Sequence, residues 1–213
     1  ETSPGVTMTT VSDSLDMRVS TVGRAFPHTE IKIIDPKTKK VVPCGETGEI
    51  CARGYCTMKG YYNNPMATRQ VIDENRWLHS GDLGTMDENG YIRMVGRLKE
   101  MVIRGGENIY PREIEEDFHQ HPKISDVYVI GVPDIKYGEE LCAWIKVEEG
   151  MTLTEEEIRE FFNGKIARYK MPRYFRFCTE FPMTVTGKIQ KGEMQKISIA
   201  ELGLEKAAAV KTA

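Results

Sequence analysis

The chain has 213 residues, 40% of them hydrophobic and 29% charged, with a formal net charge of −3. This is the composition of an ordinary globular protein with room for one or two domains and a real core. It carries no basic excess to suggest nucleic acid as a partner, no apolar run near the ~18 residues that span a bilayer, and no opening signal peptide.

In chain order, residues 20–60 read as β structure. "TEIKIID" at 29–35 alternates, with Ile31 and Ile33 on one face; "PKTKK" supplies a turn, and "VVPCGETGEICARG" continues as strands broken by Gly and Pro. "NPMATRQVIDENRW" at 64–77 predicts one short helix. In "GTMDENGYIRMVGR", Asp87-Glu88-Asn89-Gly90 is a hairpin turn between two strands.

The pattern then changes. Pro111 suits the first turn of a helix, Ile114 and Phe118 fall on one face of it, and Pro122 closes it. "VYVIGVPD" and "ELCAWIKVEE" predict strands. Thr154 with Glu157 three residues later is a capping box, and apolar positions 158, 161, 162 and 166 keep the helical period. "RYFRFCTEF" predicts another strand, followed by the glycine-hinged loop "MTVTGKIQKGEM" at 183–194; the Ala- and Lys-rich tail from about 200 is expected to fray.

These elements predict an α+β protein. Residues 1–97 form a β-rich, distorted, barrel-like subdomain. Residues 98–213 form a small α+β domain of order helix, strand, strand, helix, strand, a short central sheet flanked by helices, and the boundary falls near "GRLKE". The five cysteines show no CxxC spacing, and Cys51 and Cys56 stand too isolated for a zinc site, so reduced cytoplasmic thiols are expected. His28, His119 and His121 read as surface residues, while His79 packs near the "HSGD" segment.

Four segments stand in a telling order: "GETGEICARG…GYYNNP" (45–65), "WLHSGDLG" (77–84), "GRLKEMVIRGGENIYPREIE" (96–115) and "FPMTVTGKIQK" (181–191). Together they resemble the adenylate-forming enzymes: acyl-CoA synthetases, luciferases and peptide-synthetase adenylation domains. The resemblance covers essentially the whole chain. It implies a fragment whose N-terminal portion, with the phosphate loop and the acyl pocket, lies upstream, Glu1-Thr2 matching the end of a Tyr-Gly-x-Thr-Glu motif. Residues 1–97 then close the large AMP-binding domain, and 98–213 are the C-terminal domain.

The implied activity is that of an AMP-forming acyl-CoA synthetase of fatty acid and lipid metabolism. A carboxylic acid, ATP and CoA give acyl-CoA, AMP and pyrophosphate through an acyl-adenylate. By resemblance Lys188 is the adenylation lysine, whose long stem and compact ammonium can bridge carboxylate and α-phosphate. Asp82 and Arg97 are the nucleotide ribose contacts, Lys99 the hinge, Gly105 and Gly106 the backbone lining the pantetheine passage, and Glu1 the Mg²⁺ ligand. Arg168, Lys170 and Arg173 stand equally well as CoA phosphate contacts or as a solvated helix end. The rival readings are a ligase with a carrier-protein or other acceptor and a non-catalytic interaction fragment. The isolated chain, lacking the phosphate loop, is expected to be inactive.

Overall fold

A computed structural model describes residues 1–210. They divide into two compact units, with the boundary between Lys99 and Glu100.

In the first unit, β1 (Thr7–Met8) pairs antiparallel with β2 (Arg24–Ala25), and α1 (Leu15–Ser20) lies between them in sequence. The remaining strands are β3 (Thr29–Ile34), β4 (Gly48–Gly54), β5 (Leu78–Met86) and β6 (Ile92–Arg97). They form one antiparallel sheet of order β3-β4-β5-β6. Ile33, Ile50 and Ile92 are buried together on one face, as the alternation in "TEIKIID" requires. The sheet is open, which corrects the barrel-like expectation: β3 and β6 are its two edges, and four strands are too few for the edges to meet.

The β5–β6 hairpin forms where the sequence placed it. Asp87 Oδ1 accepts from the backbone N–H groups of Asn89 and Tyr91, both at 2.9 Å, a side-chain clamp on the turn. The helix expected over 64–77 is shorter. α2 spans Pro65–Val71, capped by the Asn64 side chain, and the chain then turns so that Trp77 N–H donates to Asp73 Oδ1 at 2.8 Å.

The second unit holds a five-stranded mixed sheet. Its strands are β7 (Val102–Arg104), β8 (Glu107–Ile109), β9 (Ile124–Asp134), β10 (Gly138–Val147) and β11 (Tyr174–Phe177). Strand β10 pairs antiparallel with β9 and parallel with β11. Helices α3 (Pro111–Phe118) and α4 (Glu155–Phe161) pack on one face, against Leu141, Ala143 and Ile145. On the other face α5 (Lys191–Leu202) places Met194 against Cys142 and Trp144, and α6 (Glu205–Ala209) follows it. Burial on both faces explains why "LCAWI" is apolar without alternation.

The sequence pattern missed four elements of this unit: β7 and β8, the short hairpin before α3, and α5 and α6 after β11. The chain is helical through Ala209, with Ala207 buried, so the expected fraying is not seen there; residues 211–213 lie outside the described residues. α4 ends at Phe161, so Ile166 packs on the same core from beyond the helix rather than as its next turn. His121, expected at the surface, is only 6% exposed. It lies edge-on to Phe161 at 4.4 Å, its Nδ1 accepts from Lys123 N–H at 3.2 Å, and burial holds its imidazole below the usual range.

The capping box is present in full. Thr154 Oγ1 accepts from Glu157 N–H at 3.3 Å, and Glu157 Oε2 accepts from Thr154 N–H at 3.0 Å. Thr154→Ala is expected to cost about 1 kcal/mol in urea unfolding. An unchanged midpoint would show that Lys123, 2.9 Å from Glu157 Oε1, holds this turn by itself.

Candidate active site

The "HSGD" segment lies on β5, where the β4–β5 ladder slips register between Glu49 and Cys51. Ser80 occupies the irregularity. Its hydroxyl donates to the Ile50 carbonyl at 2.7 Å and accepts from Asp82 N–H at 3.1 Å. Glu49, 3% exposed, accepts from Gly81 N–H at 3.3 Å through Oε1. The backbone leading into Asp82 is therefore held by the Ser80 side chain of its own strand and by the Glu49 side chain of neighbouring β4.

A second slip, between Leu83 and Gly84, decides what Asp82 faces. Met86, Thr85 and Gly84 lie opposite Ile92, Arg93 and Met94, a ladder that would run on to set Asp82 against Gly96. The slip moves Asp82 opposite Arg97, and Arg97 Nε comes 3.1 Å from Asp82 Oδ1. Both side chains keep solvent access and line a cavity of about 670 Å³. Glu1 and Lys99 also line it, with Ile50 and Ile92 among its apolar walls. Tyr61 donates a hydrogen bond to Glu1 Oε1, which holds the Tyr61 hydroxyl above the usual phenol range.

In the second unit, Gly105 and Gly106 are the two-residue turn of the β7–β8 hairpin. Their φ values of 60° and 93° are the left-handed pair that such a turn requires, and a Cβ on Gly105 would meet the Tyr137 ring at 3.2 Å. Gly105 N–H donates to the Tyr137 carbonyl at 2.8 Å, Ile103 N–H to Glu139 Oε2 at 2.7 Å, and Arg104 Nε stands 2.8 Å from the fully buried Glu140. The turn is thus anchored to β10 while Gly106 has open space around it.

Lys188 ends a tight turn in which Gly187, at φ 78°, donates to the Thr184 carbonyl at 2.9 Å and Lys188 N–H donates to Thr184 Oγ1 at 3.1 Å. The lysine side chain is exposed, and among the described residues no carboxylate pairs with it. The basic cluster behaves differently. Lys170 is 2.9 Å from Glu113 and Arg173 is 3.1 Å from Asp134. Arg168 and Arg173 line a cavity of about 560 Å³ together with Arg104 and Arg159.

Residues 1–62 match the AMP-binding enzyme family, and residues 113–188 match the AMP-binding enzyme C-terminal domain. The chain belongs to the AMP-binding enzymes. The C-terminal match ends at Lys188, whereas Asp82, Arg97, Lys99, Gly105 and Gly106 lie between the two matched spans. This AMP-binding enzyme chain is 53% identical over 204 residues to YngI of Bacillus subtilis, a candidate acyl-CoA synthetase, covering 96% of the chain and 37% of that protein. It is 46% identical over 196 residues to the mitochondrial medium-chain acyl-CoA ligase ACSF2 of Rattus norvegicus, covering 92% and 32%. Among solved structures, ATP-bound MatB from Rhodopseudomonas palustris superposes with a TM-score of 0.84 at 33% identity, covering 91% of the chain and 38% of MatB. The chain therefore spans about a third of the length of the curated relatives it matches.

The supports that position Asp82, namely Glu49, Ser80 and the second slip in β5, were absent from the sequence reading. A buried Glu in a β pattern ("GEICA") is the signal that could have pointed to Glu49.

Proposed function

We propose that the whole protein to which this chain belongs is an AMP-forming acid–thiol ligase of the acyl-CoA synthetase type. The single observation carrying the reading is the Asp82–Arg97 pair, on facing strands at the edge of a cavity that Glu1 and Lys99 share. A carboxylic acid attacks the α-phosphorus of ATP, giving acyl-adenylate and pyrophosphate. The thiolate of CoA then attacks the acyl carbonyl, expels AMP and leaves the thioester. The likeness to ACSF2 favours a medium-chain fatty acid.

In this reading residues 1–97 complete the nucleotide-binding domain and residues 98–213 are the C-terminal domain. Asp82 accepts from both ribose hydroxyls, and Arg97 supplies the neighbouring contact. Glu1 suits Mg²⁺: one exposed carboxylate, with Oε1 held by Tyr61, matches an ion that takes one or two carboxylates and completes its shell with phosphate oxygens and water. Such an ion would neutralise phosphate charge. Lys188 stabilises the meeting of carboxylate and α-phosphate. The Gly105–Gly106 backbone lines the path of the pantetheine thiol, and Arg168 is the member of the basic cluster left to meet a CoA phosphate. We place the protein in the cytoplasm, a reading supported by five free cysteines; no described helix is long and apolar enough to cross a membrane.

The test is acid-dependent consumption of ATP and CoA by the whole protein across a panel of chain lengths. Thioester formation with release of AMP is the expected result. Acyl-AMP that accumulates while CoA is untouched would assign a different acceptor, and no adenylate at all would leave the chain an interaction fragment.

Lys99 closes the first unit within a 3₁₀ turn, Leu98–Glu100. As the pivot between the two half-reactions it must change φ/ψ. Lys99→Pro, which locks φ near −65°, is expected to spare adenylation and lower thioester formation at least tenfold. Retained thioester formation would remove Lys99 from the pivot.

A further inference from the structure

The face of the β3-β4-β5-β6 sheet opposite Ile50 and Ala52 carries a cluster that the proposed chemistry does not use. Glu49 and Cys51 alternate with those two residues along β4, and Cys51 pairs in register with His79 of β5. His79 Nδ1 lies 3.0 Å from Glu49 Oε2 and 3.6 Å from Cys51 Sγ, and one ligand atom from each of the three falls within 4.8 Å of the others. Cys51 is fully buried, Glu49 is nearly so, and the His79 side chain retains 18% exposure as the way in.

We propose that Glu49, Cys51 and His79 form a binding site for a thiophilic divalent cation, with zinc the best fit. Two ligand atoms at the usual zinc distances in a tetrahedron stand roughly 3.3–3.8 Å apart. The Sγ–Nδ1 distance falls in that range, and the Oε2–Nδ1 distance is a little short of it. The donor set of thiolate, imidazole and carboxylate is one that zinc takes.

The surroundings supply the outer shell as well. Asp73 Oδ2 lies 3.8 Å from His79 Nε2, on the far side of the ring, beyond hydrogen-bond distance but near enough for its charge to favour a proton on Nε2 and leave the Nδ1 lone pair toward Cys51 and Glu49. Glu49 divides its oxygens, Oε1 on Gly81 N–H and Oε2 on the candidate metal position. The fourth ligand is water. Two lysines face this side. Lys39 Nζ is 3.6 Å from Glu49 Oε2 but its side chain is 57% exposed and able to swing out; Lys32 is engaged over the Trp77 ring at 4.3 Å.

Burial, then the Glu49 charge, pushes the Cys51 thiol up to about 12, so it is neutral without a cation. Binding forms the S–metal bond and releases that proton to solvent. Occupancy would staple β4 to β5 directly behind the Ser80–Asp82 segment. A hydrogen bond from His79 Nδ1–H to Glu49 would account for those two residues without metal; it does not account for the thiol placed beside the same nitrogen.

The experiment is a Co²⁺ titration of the full, untagged 213-residue chain under a phosphine reductant. A cysteine-to-cobalt charge-transfer band saturating at one equivalent and bleached by Zn²⁺ is expected. The band should vanish in Cys51→Ser, weaken about tenfold or more in His79→Gln, and persist in Cys178→Ser. In parallel, Zn²⁺ should raise the Tm of the wild type and leave that of Cys51→Ser unchanged. Absence of the band from the wild-type chain at millimolar Co²⁺ overturns the proposal without reference to any variant. So does a band that survives Cys51→Ser.

Discussion

Lys188→Ala in the whole protein is expected to lower acid-dependent ATP–pyrophosphate exchange by about 10²–10³-fold, the usual cost of removing one preorganised charge from a developing transition state. Thioester formation from supplied acyl-AMP and CoA should proceed near the wild-type rate. The contrast between Lys188, in the loop, and Lys191, at the start of α5, motivates this. Lys191 is committed, its Nζ 3.0 Å from Glu100 and 2.9 Å from Glu115. Lys188 is exposed, has no carboxylate partner among the described residues, and is presented by a turn whose backbone is fixed on Thr184. The first half-reaction drives a carboxylate onto a polyphosphate, so its barrier depends on positive charge in the gap. In the second, a thiolate attacks an acyl carbonyl that carries one phosphate rather than a polyphosphate, so the repulsion that Lys188 offsets is much smaller. Lys188→Arg should recover little, because a planar fork does not replace a compact ammonium. Equal loss in both half-reactions would refute the assignment.

Phe118→Ala is the substitution expected to damage the fold most, by about 3–5 kcal/mol. Phe118 is fully buried at the end of α3, stacked on Phe162 at 4.5 Å and parallel to Phe175 at 6.4 Å. It therefore joins α3, the end of α4 and β11, three elements far apart in sequence. Removing its ring opens a cavity between aromatic walls that cannot collapse onto one another. Urea unfolding should show a lower midpoint at unchanged slope. A loss under about 1 kcal/mol would mean that the α4 and β11 rings close the gap, contradicting the packing described.

Much of the fold follows from short-range chemistry that can be read along the chain. Thr154 and Glu157 cap α4, Pro111 opens α3, and Asp87 clamps the β5–β6 turn; each acts within four residues of itself. α5 escaped notice because its contact with the core runs through Met194 and Ser198, the latter accepting the Trp144 indole N–H at 2.9 Å, rather than through an apolar stripe. β7 and β8 escaped because three-residue strands carry too little alternation to register.

For the candidate site the division is sharper. The resemblance carried by the four motif segments named Glu1, Asp82, Arg97, Lys99, Gly105, Gly106 and Lys188. They could not say that a register slip in the β5–β6 ladder would set Asp82 against Arg97, or that the β4–β5 ladder would gather Glu49, Cys51 and His79 on the opposite face. Turns and caps are decided by dihedral preferences and hydrogen bonds between near neighbours, which the local sequence carries in full. Strand register, the parallel union of β11 with β10, and the sharing of one imidazole nitrogen by a carboxylate and a thiol are settled only when distant segments compete for the same backbone partners and the same buried volume.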